Sequence, residues 1–219
     1  MRTKALVAAA ALLAAGALTS WAQSNVYSLN VVGYINVPLK AGFTMVGNQL
    51  DLDGTGANNT LTTVFGTTLP SGSAVYSYSG AYDTATFTTK GGWAGSVAAV
   101  NAALAPGKGV FVKVPSDATV TLVGNVMQGA LSTPYVNGFN IVSSQVPQAG
   151  ALQTDLAYVP TSGDTVYQFD ATVQNYKTAA TYTTKGGWSA QPSIAVGEAF
   201  WLKSAAAAGG TWTRSFTVQ

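Results

Sequence analysis

Thr88-Thr89-Lys90-Gly91-Gly92-Trp93 returns letter for letter as Thr183-Thr184-Lys185-Gly186-Gly187-Trp188, with Phe87 before one copy and Tyr182 before the other. A β-branched strand end, a Gly-Gly turn that needs positive φ, and a tryptophan packing beside it is the order of a β-hairpin. Working outward, Gly42-Phe43-Thr44-Met45-Val46 answers to Gly138-Phe139-Asn140-Ile141-Val142, and Val75-Tyr76-x-Tyr78 to Val166-Tyr167-x-Phe169. Gly107-Lys108-Gly109-Val110-Phe111-Val112-Lys113 answers to Gly197-Glu198-Ala199-Phe200-Trp201-Leu202-Lys203. The matches keep one order and nearly one spacing, so the chain reads as two copies of a unit of about 90 residues. What recurs is apolar strand residues and turn glycines, not reactive groups. Lys108 and Glu198, which replace each other, read as an interchangeable surface turn.

The remaining sequence is β in character. Tyr27, Leu29, Val31, Gly33, Ile35 and Val37 alternate with other residues, the period of a strand with one buried face. Later runs such as Ala74–Tyr78 and Ala118–Val123 are short, rich in β-branched and aromatic residues, and separated by Gly, Asn, Asp, Ser and Pro. The pattern predicts an all-β protein: two tandem β-sandwich or barrel-like repeats, residues 23–126 and 127–219, after a signal peptide at 1–22. A transmembrane β-barrel also suits alternating strands, but such frequent breaks suit small sandwiches better. One helical exception is expected over Gly95–Leu104, where Val97, Val100 and Leu104 share a face.

The leader reading rests on Met1-Arg2-Thr3-Lys4, an apolar run from Ala5 to Leu18, and the small-residue site Ser20-Trp21-Ala22. That run is shorter than the roughly 20 residues that span a bilayer. Secretion is therefore expected, to the cell surface or beyond. The full chain has 10 Lys+Arg and 8 Asp+Glu, and Arg2 and Lys4 leave with the leader, so the mature protein is formally neutral. Only 8% of residues are charged, against about 25% in ordinary domains. Nucleic acid is a poor partner for such a chain, because binding it needs clustered cations.

Catalysis has little to work with. There is no His and no Cys, which removes the usual nucleophile–base pairs and zinc ligands. Glu198 is the only glutamate, and a glycosidase needs two facing carboxyl groups. The expectation is a protein that is not an enzyme and has no obligatory cofactor.

Three sets of residues remain as candidates. Trp93 and Trp188 could stack on sugar rings while Lys90 and Lys185 bond hydroxyls; the competing reading makes each tryptophan a plug for its own core. Asp51, Asp53 and Asn58 lie in Asp51-Leu52-Asp53-Gly54-Thr55-Gly56-Ala57-Asn58-Asn59, whose hard oxygen atoms suit calcium, although the spacing departs from an EF-hand; a polar surface loop is the alternative. Finally, Tyr27, Leu29 and Val31 at one end and Trp212, Phe216 and Val218 at the other are strand positions of a single parity. If residues 118–128 close the first unit and open the second, each terminal strand is left without a neighbour. The N-terminal strand of one molecule could then extend the C-terminal unit of the next, or the ends could pair within one molecule.

The segments Ala41–Leu50, Val75-Tyr76-x-Tyr78, Gly92-Trp93 and Pro106–Lys113, with their second-copy counterparts, resemble a β-rich module of secreted bacterial proteins. Its hallmarks are a G-W/F-N-L-I-S-x-P opening strand and a P-G-x-G-Y/F-W/F-V/I closing strand. The chain is also similar to exported Verrucomicrobia-like proteins that begin VVGY(I/V)NV, here Val31–Val37. The resemblance implies an extracellular or cell-surface setting and transfers no catalytic residue. Two functions are expected: a structural component of an extracellular assembly, partnered by itself or other β proteins, or a carbohydrate-binding or adhesive module working as a monomer.

Overall fold

The computed structural model describes residues 31–218, and its architecture is all-β. Tyr27, Leu29 and the leader lie outside the described residues. In the first half, β1 (Val32–Leu39), β2 (Gly42–Gly47), β3 (Ser73–Tyr78), β4 (Tyr82–Thr88), β5 (Gly92–Gly95), β6 (Gly109–Val114) and β7 (Ala118–Asn125) are joined by two short helices, α1 (Leu61–Phe65) and α2 (Val97–Val100). The second half runs β8 (Gly129–Tyr135), β9 (Gly138–Ser143), β10 (Gly150–Ala151), β11 (Thr165–Tyr167), β12 (Phe169–Asp170), β13 (Asn175–Tyr176), β14 (Ala180–Thr183), β15 (Gly187–Trp188), β16 (Ser193–Ile194), β17 (Ala199–Ser204) and β18 (Gly210–Phe216).

Each half contains one antiparallel five-stranded sheet, ordered β2-β6-β3-β4-β5 in the first and β9-β17-β11-β14-β15 in the second. Under the sequence correspondence these are the same order. Each sheet is covered by a two-stranded ribbon, β1 with β7 and β8 with β18. The ribbon is the sheet's own outer pair folded over. β1 turns into β2 at Lys40, and β6 turns into β7 at Asp117, whose carboxylate accepts from Ala41 N–H and from Lys40 Nζ at 2.7 Å.

Strand parity explains the cores. Ile35, Val37 and Leu39 on β1, with Val120 and Leu122 on β7, point inward onto Val75, Val110, Val112 and Phe87. The alternation read from Tyr27 onward therefore places the buried face correctly wherever the strand is described. In the second half Trp212 of β18 does this work with Val142, Leu152, Tyr158, Phe200 and Leu202.

Three expectations need correction. Residues 118–128 do not serve both units: β7 closes the first half and a separate strand, β8, opens the second. Over their described residues, the terminal strands find partners in their own halves. Phe216 pairs with Gly129 in the ladder, and Val218 N–H bonds the Gln128 side chain, while Val31 C=O accepts from Val126 N–H. The helix expected over Gly95–Leu104 is a single turn, capped by Ser96. Its buried residue is Ala99, while Val97 is 78% exposed. Helix α1 had no apolar period to announce it. Its start is a capping box in which Thr60 and Thr63 exchange backbone and side-chain bonds.

Candidate functional site

The repeated turn forms the same structure twice. Thr88 pairs with Gly92 and Thr183 with Gly187, closing three-residue hairpin loops. Gly92 and Gly187 sit at φ +69° and +70°, the left-handed residue that such a loop requires. Lys90 and Lys185 are exposed at the loop tips. The tryptophans turn back onto their own halves. Trp93 packs on Phe87 at 5.3 Å and donates its indole N–H to Gly66 C=O at 2.7 Å. Trp188 packs on Tyr182 at 5.4 Å against the second core. The strands that carry them, β5 and β15, end their respective sheets away from the strands where the halves meet.

The acidic loop closes on itself. Asp51 accepts from Gly56 N–H at 2.9 Å and Asn59 Nδ2 at 2.7 Å. Asp53 accepts from Thr55 N–H, Thr55 Oγ1 and Asn58 Nδ2, and these bonds hold its carboxyl below the ordinary range. Among the described residues no group of three or more His, Cys, Asp or Glu side chains is placed to hold a metal.

The two halves meet through β2, β6, β9 and β17, and their contacts come in exchanged pairs. Gly47 N–H donates to Gly197 C=O, and Ser143 N–H to Gly107 C=O, both at 2.9 Å. Val46 bridges Glu198, and Val142 bridges Lys108. Lys108 and Glu198, expected to be an interchangeable surface turn, thus belong to the junction. Since Gly47 corresponds to Ser143, and Gly107 to Gly197, residue i touching j′ while i′ touches j is the signature of an isologous, two-fold contact, here inside one chain.

Aromatic residues obey the same exchange. Tyr78 meets Trp201 edge-on at 4.8 Å, and its counterpart Phe169 meets Phe111, the counterpart of Trp201, edge-on at 5.5 Å. Phe43–Phe111 at 6.0 Å matches Phe139–Trp201 at 5.7 Å. Lys113 lies over Phe43 and Lys203 over Phe139. With Met45, Ile141 and Ala199, the rings of Phe43, Tyr78, Phe111, Phe169 and Trp201 form a third apolar cluster, belonging to both halves. Offset and edge-on ring pairs of this kind add about 1 kcal/mol each beyond their buried area.

A cleft of about 390 Å³ opens beside this cluster, lined by Phe43, Tyr76, Tyr82, Thr84 and Phe111 from the first half and Phe169 and Tyr176 from the second. No lining residue carries a charge. Tyr82 is 51% exposed and Tyr176 45%, so their rings are accessible. Burial, with Tyr176 and Tyr78 beside it, pushes the Tyr82 hydroxyl above its ordinary range, so it stays protonated. Tyr176 Oη accepts from Trp201 Nε1 at 3.0 Å, leaving its own proton to give. Such a surface offers ring faces for stacking and neutral hydroxyls for hydrogen bonding.

Sequence reasoning picked out the recurrent tryptophans, and they are not in this cleft. The signal it passed over is in β6 and β17. Gly109–Val112 and Ala199–Leu202 are apolar on both parities, as in strands covered on both faces, and the second face of each is the one that meets the other half. Comparison of the chain with family models, with curated proteins and with solved structures finds no match.

Proposed function

We propose that this protein is a secreted, non-catalytic binding module that takes a neutral carbohydrate in the aromatic cleft between its halves. The observation that carries this reading is the cleft's chemistry: five accessible or half-buried rings over a buried Phe111, phenol and threonine hydroxyls, and no charged residue in the lining. Concave, mostly apolar sites with a few polar groups are where small ligands bind, and a sugar ring presents an apolar face with hydroxyls at its edge. The leader read at residues 1–22 and the resemblance to secreted β-rich modules support an extracellular setting. Pairing of the end strands within their own halves supports action as a monomer.

The test is a panel of soluble neutral oligosaccharides followed by calorimetry and thermal melting of the mature protein. A true ligand raises Tm by mass action, and Tyr76→Ala abolishes both the heat and the shift while the fold is kept. A panel that gives neither heat nor shift overturns the reading. A second reading, self-assembly into an extracellular structure, has one observation in its favour. Val32, Tyr34 and Val123 are exposed together on the outer face of the β1–β7 ribbon, with Tyr34 directly opposite Val123. Polymerisation on concentration without any sugar would make that the better account.

A further inference from the structure

We propose that Gln174 is the positioning residue of this cleft: its side-chain amide latches the hairpin Phe169–Tyr176 across the junction onto the edge of β2, making a binding cleft on that side. The inference rests on the reading of the cleft as the ligand site.

The two hairpins differ in length. Three residues, Ser79–Ala81, separate Tyr78 from its ladder partner Tyr82, whereas six, Asp170–Asn175, separate Phe169, the counterpart of Tyr78, from its ladder partner Tyr176. The longer turn lets the hairpin, in which Phe169 pairs with Tyr176 and Asp170 with Asn175, reach over to the other half. Gln174 at its tip is held at φ +54°, a left-handed conformation that costs a residue with a side chain. What the strain secures is visible. Gln174 Oε1 accepts from Phe43 N–H at 2.7 Å and its Nε2 donates to Phe43 C=O at 2.9 Å, while the second amide proton goes to Ala171 C=O at 2.7 Å.

β2 is the end strand of its sheet, and the amide pairs with it as one residue of a further strand would. Gly42 makes room for this. A Cβ there would lie 2.4 Å from Gln174 Oε1, and Gly42 itself sits at φ +97°. Its counterpart Gly138 has a similar φ of +85° but nothing within 4 Å of that position, so the latch exists on one side of the pseudo-two-fold axis and not on the other. The consequence for binding is direct. The hairpin brings Phe169 and Tyr176 against Phe43, Tyr76, Tyr82 and Phe111, so a ligand is gripped by both halves at once.

Gln174→Glu tests the latch, because a carboxylate can accept from Phe43 N–H but cannot donate to Phe43 C=O, whereas a protonated carboxyl group can do both. The charged groups around the latch are Asp170 on the hairpin, Lys177 just after it, Lys113 opposite Phe43 on β6, and the Lys40–Asp117 pair at the turn leading into β2. The Thr172 N–H holds the Asp170 carboxyl below its ordinary range, so it stays ionised as an ordinary glutamate begins to protonate near pH 4. Two quantities are followed from pH 7 to about pH 4: the hydrogen-exchange protection factor of the Phe43 amide, corrected for intrinsic rate, and calorimetric affinity for cellohexaose. In wild type both stay flat. In Gln174→Glu both fall about tenfold at pH 7 and recover as the pH drops.

Wild-type protection of Phe43 in the variant at pH 7 overturns the latch, whatever the ligand. Lost protection with unchanged cellohexaose affinity overturns its role in forming the cleft. Tyr76→Ala, which touches the floor and not the latch, separates the two ideas. If it binds cellohexaose like wild type, the cleft is not the site, and the latch still stands or falls on the exchange data. A wild-type protein that does not bind cellohexaose sinks the latch's part in sugar binding.

Discussion

The turns Thr88–Trp93 and Thr183–Trp188 are identical in sequence, and their tryptophans meet different surroundings. Both loops close the same way, with Gly91 N–H on Thr88 Oγ1 at 3.0 Å and Gly186 N–H on Thr183 Oγ1 at 3.1 Å. Trp93 then finds Gly66 C=O, the residue that caps α1. The indole N–H of Trp188 is buried without a protein partner. In the second half the corresponding space holds the turn around Ala151–Leu156, whose Leu156 C=O is taken by Trp212 Nε1 at 2.8 Å. The comparison teaches that a repeated hexapeptide specifies its own backbone, while the hydrogen bond its side chain makes depends on a neighbour that was not repeated.

The two halves can be set against each other experimentally. The largest effect is expected from Trp212→Ala, which empties the second core at a position where the first has Val120; a loss of about 4 kcal/mol is typical for a buried tryptophan. If both halves then melt together in calorimetry, they form one cooperative unit; two transitions would show that each core stands alone.

The next test addresses the pseudo-two-fold axis. Residues near such an axis face their own counterparts, so there is room for few side-chain atoms. A Cβ at Gly47 would lie 2.2 Å from Ser143 Cβ, and one at Gly109 would lie 2.4 Å from Ala199 Cβ. In each pair one half has glycine and the other a small residue. Gly109→Ala is expected to cost about 2 kcal/mol by overpacking, and Ala199→Gly in the same chain to restore most of it. Additive losses in that double-mutant cycle would remove the symmetry argument.

Tyr158 marks a further difference. Its hydroxyl donates to the buried Asp164 at 2.7 Å, and burial first, then the Asp164 carboxylate, push its pKa far up. The folded state thus holds this proton more tightly than the unfolded chain. The associated stability is complete below the ordinary tyrosine pKa of about 10 and declines as pH rises beyond it. Tyr158→Phe should cost about 1.5 kcal/mol at neutral pH by leaving Asp164 short of a donor, and should flatten the alkaline slope in a denaturant series. An unchanged slope would move that titration elsewhere.

Trp93→Phe and Trp188→Phe remove the same ring area, so their difference isolates the indole bond. Trp93→Phe is expected to be worse by about 1 kcal/mol; equal losses would mean that the Trp188 N–H is also satisfied in solution. Smallest of all, Lys90→Ala and Lys185→Ala should each stay within about 0.5 kcal/mol of wild type and leave oligosaccharide affinity unchanged. A loss of binding there would return the ligand site to the repeated turn.

Much of the fold was legible one strand at a time. The alternation through Ile35 and Val37, the left-handed glycines at 92 and 187, and the β character of nearly every run are local properties, set by side-chain period and backbone sterics. The cleft was not legible, and β6 shows why. Phe111 stands between Val110 and Val112, and parity separates the two faces without saying which lies against its own ribbon and which against the other half. Helix α1, too short for a period, was visible only through its cap once the helix was known.

The amino-acid order alone determined the all-β class, the recurring hairpin and the inward face of the ribbon strand β1, because each depends on residues a few positions apart. Only the tertiary structure decided that the end strands close their own halves, that the halves exchange rings across a two-fold junction, and that Gln174 reaches Phe43. Those contacts join residues far apart in the chain, and their energy exists only once both surfaces are formed.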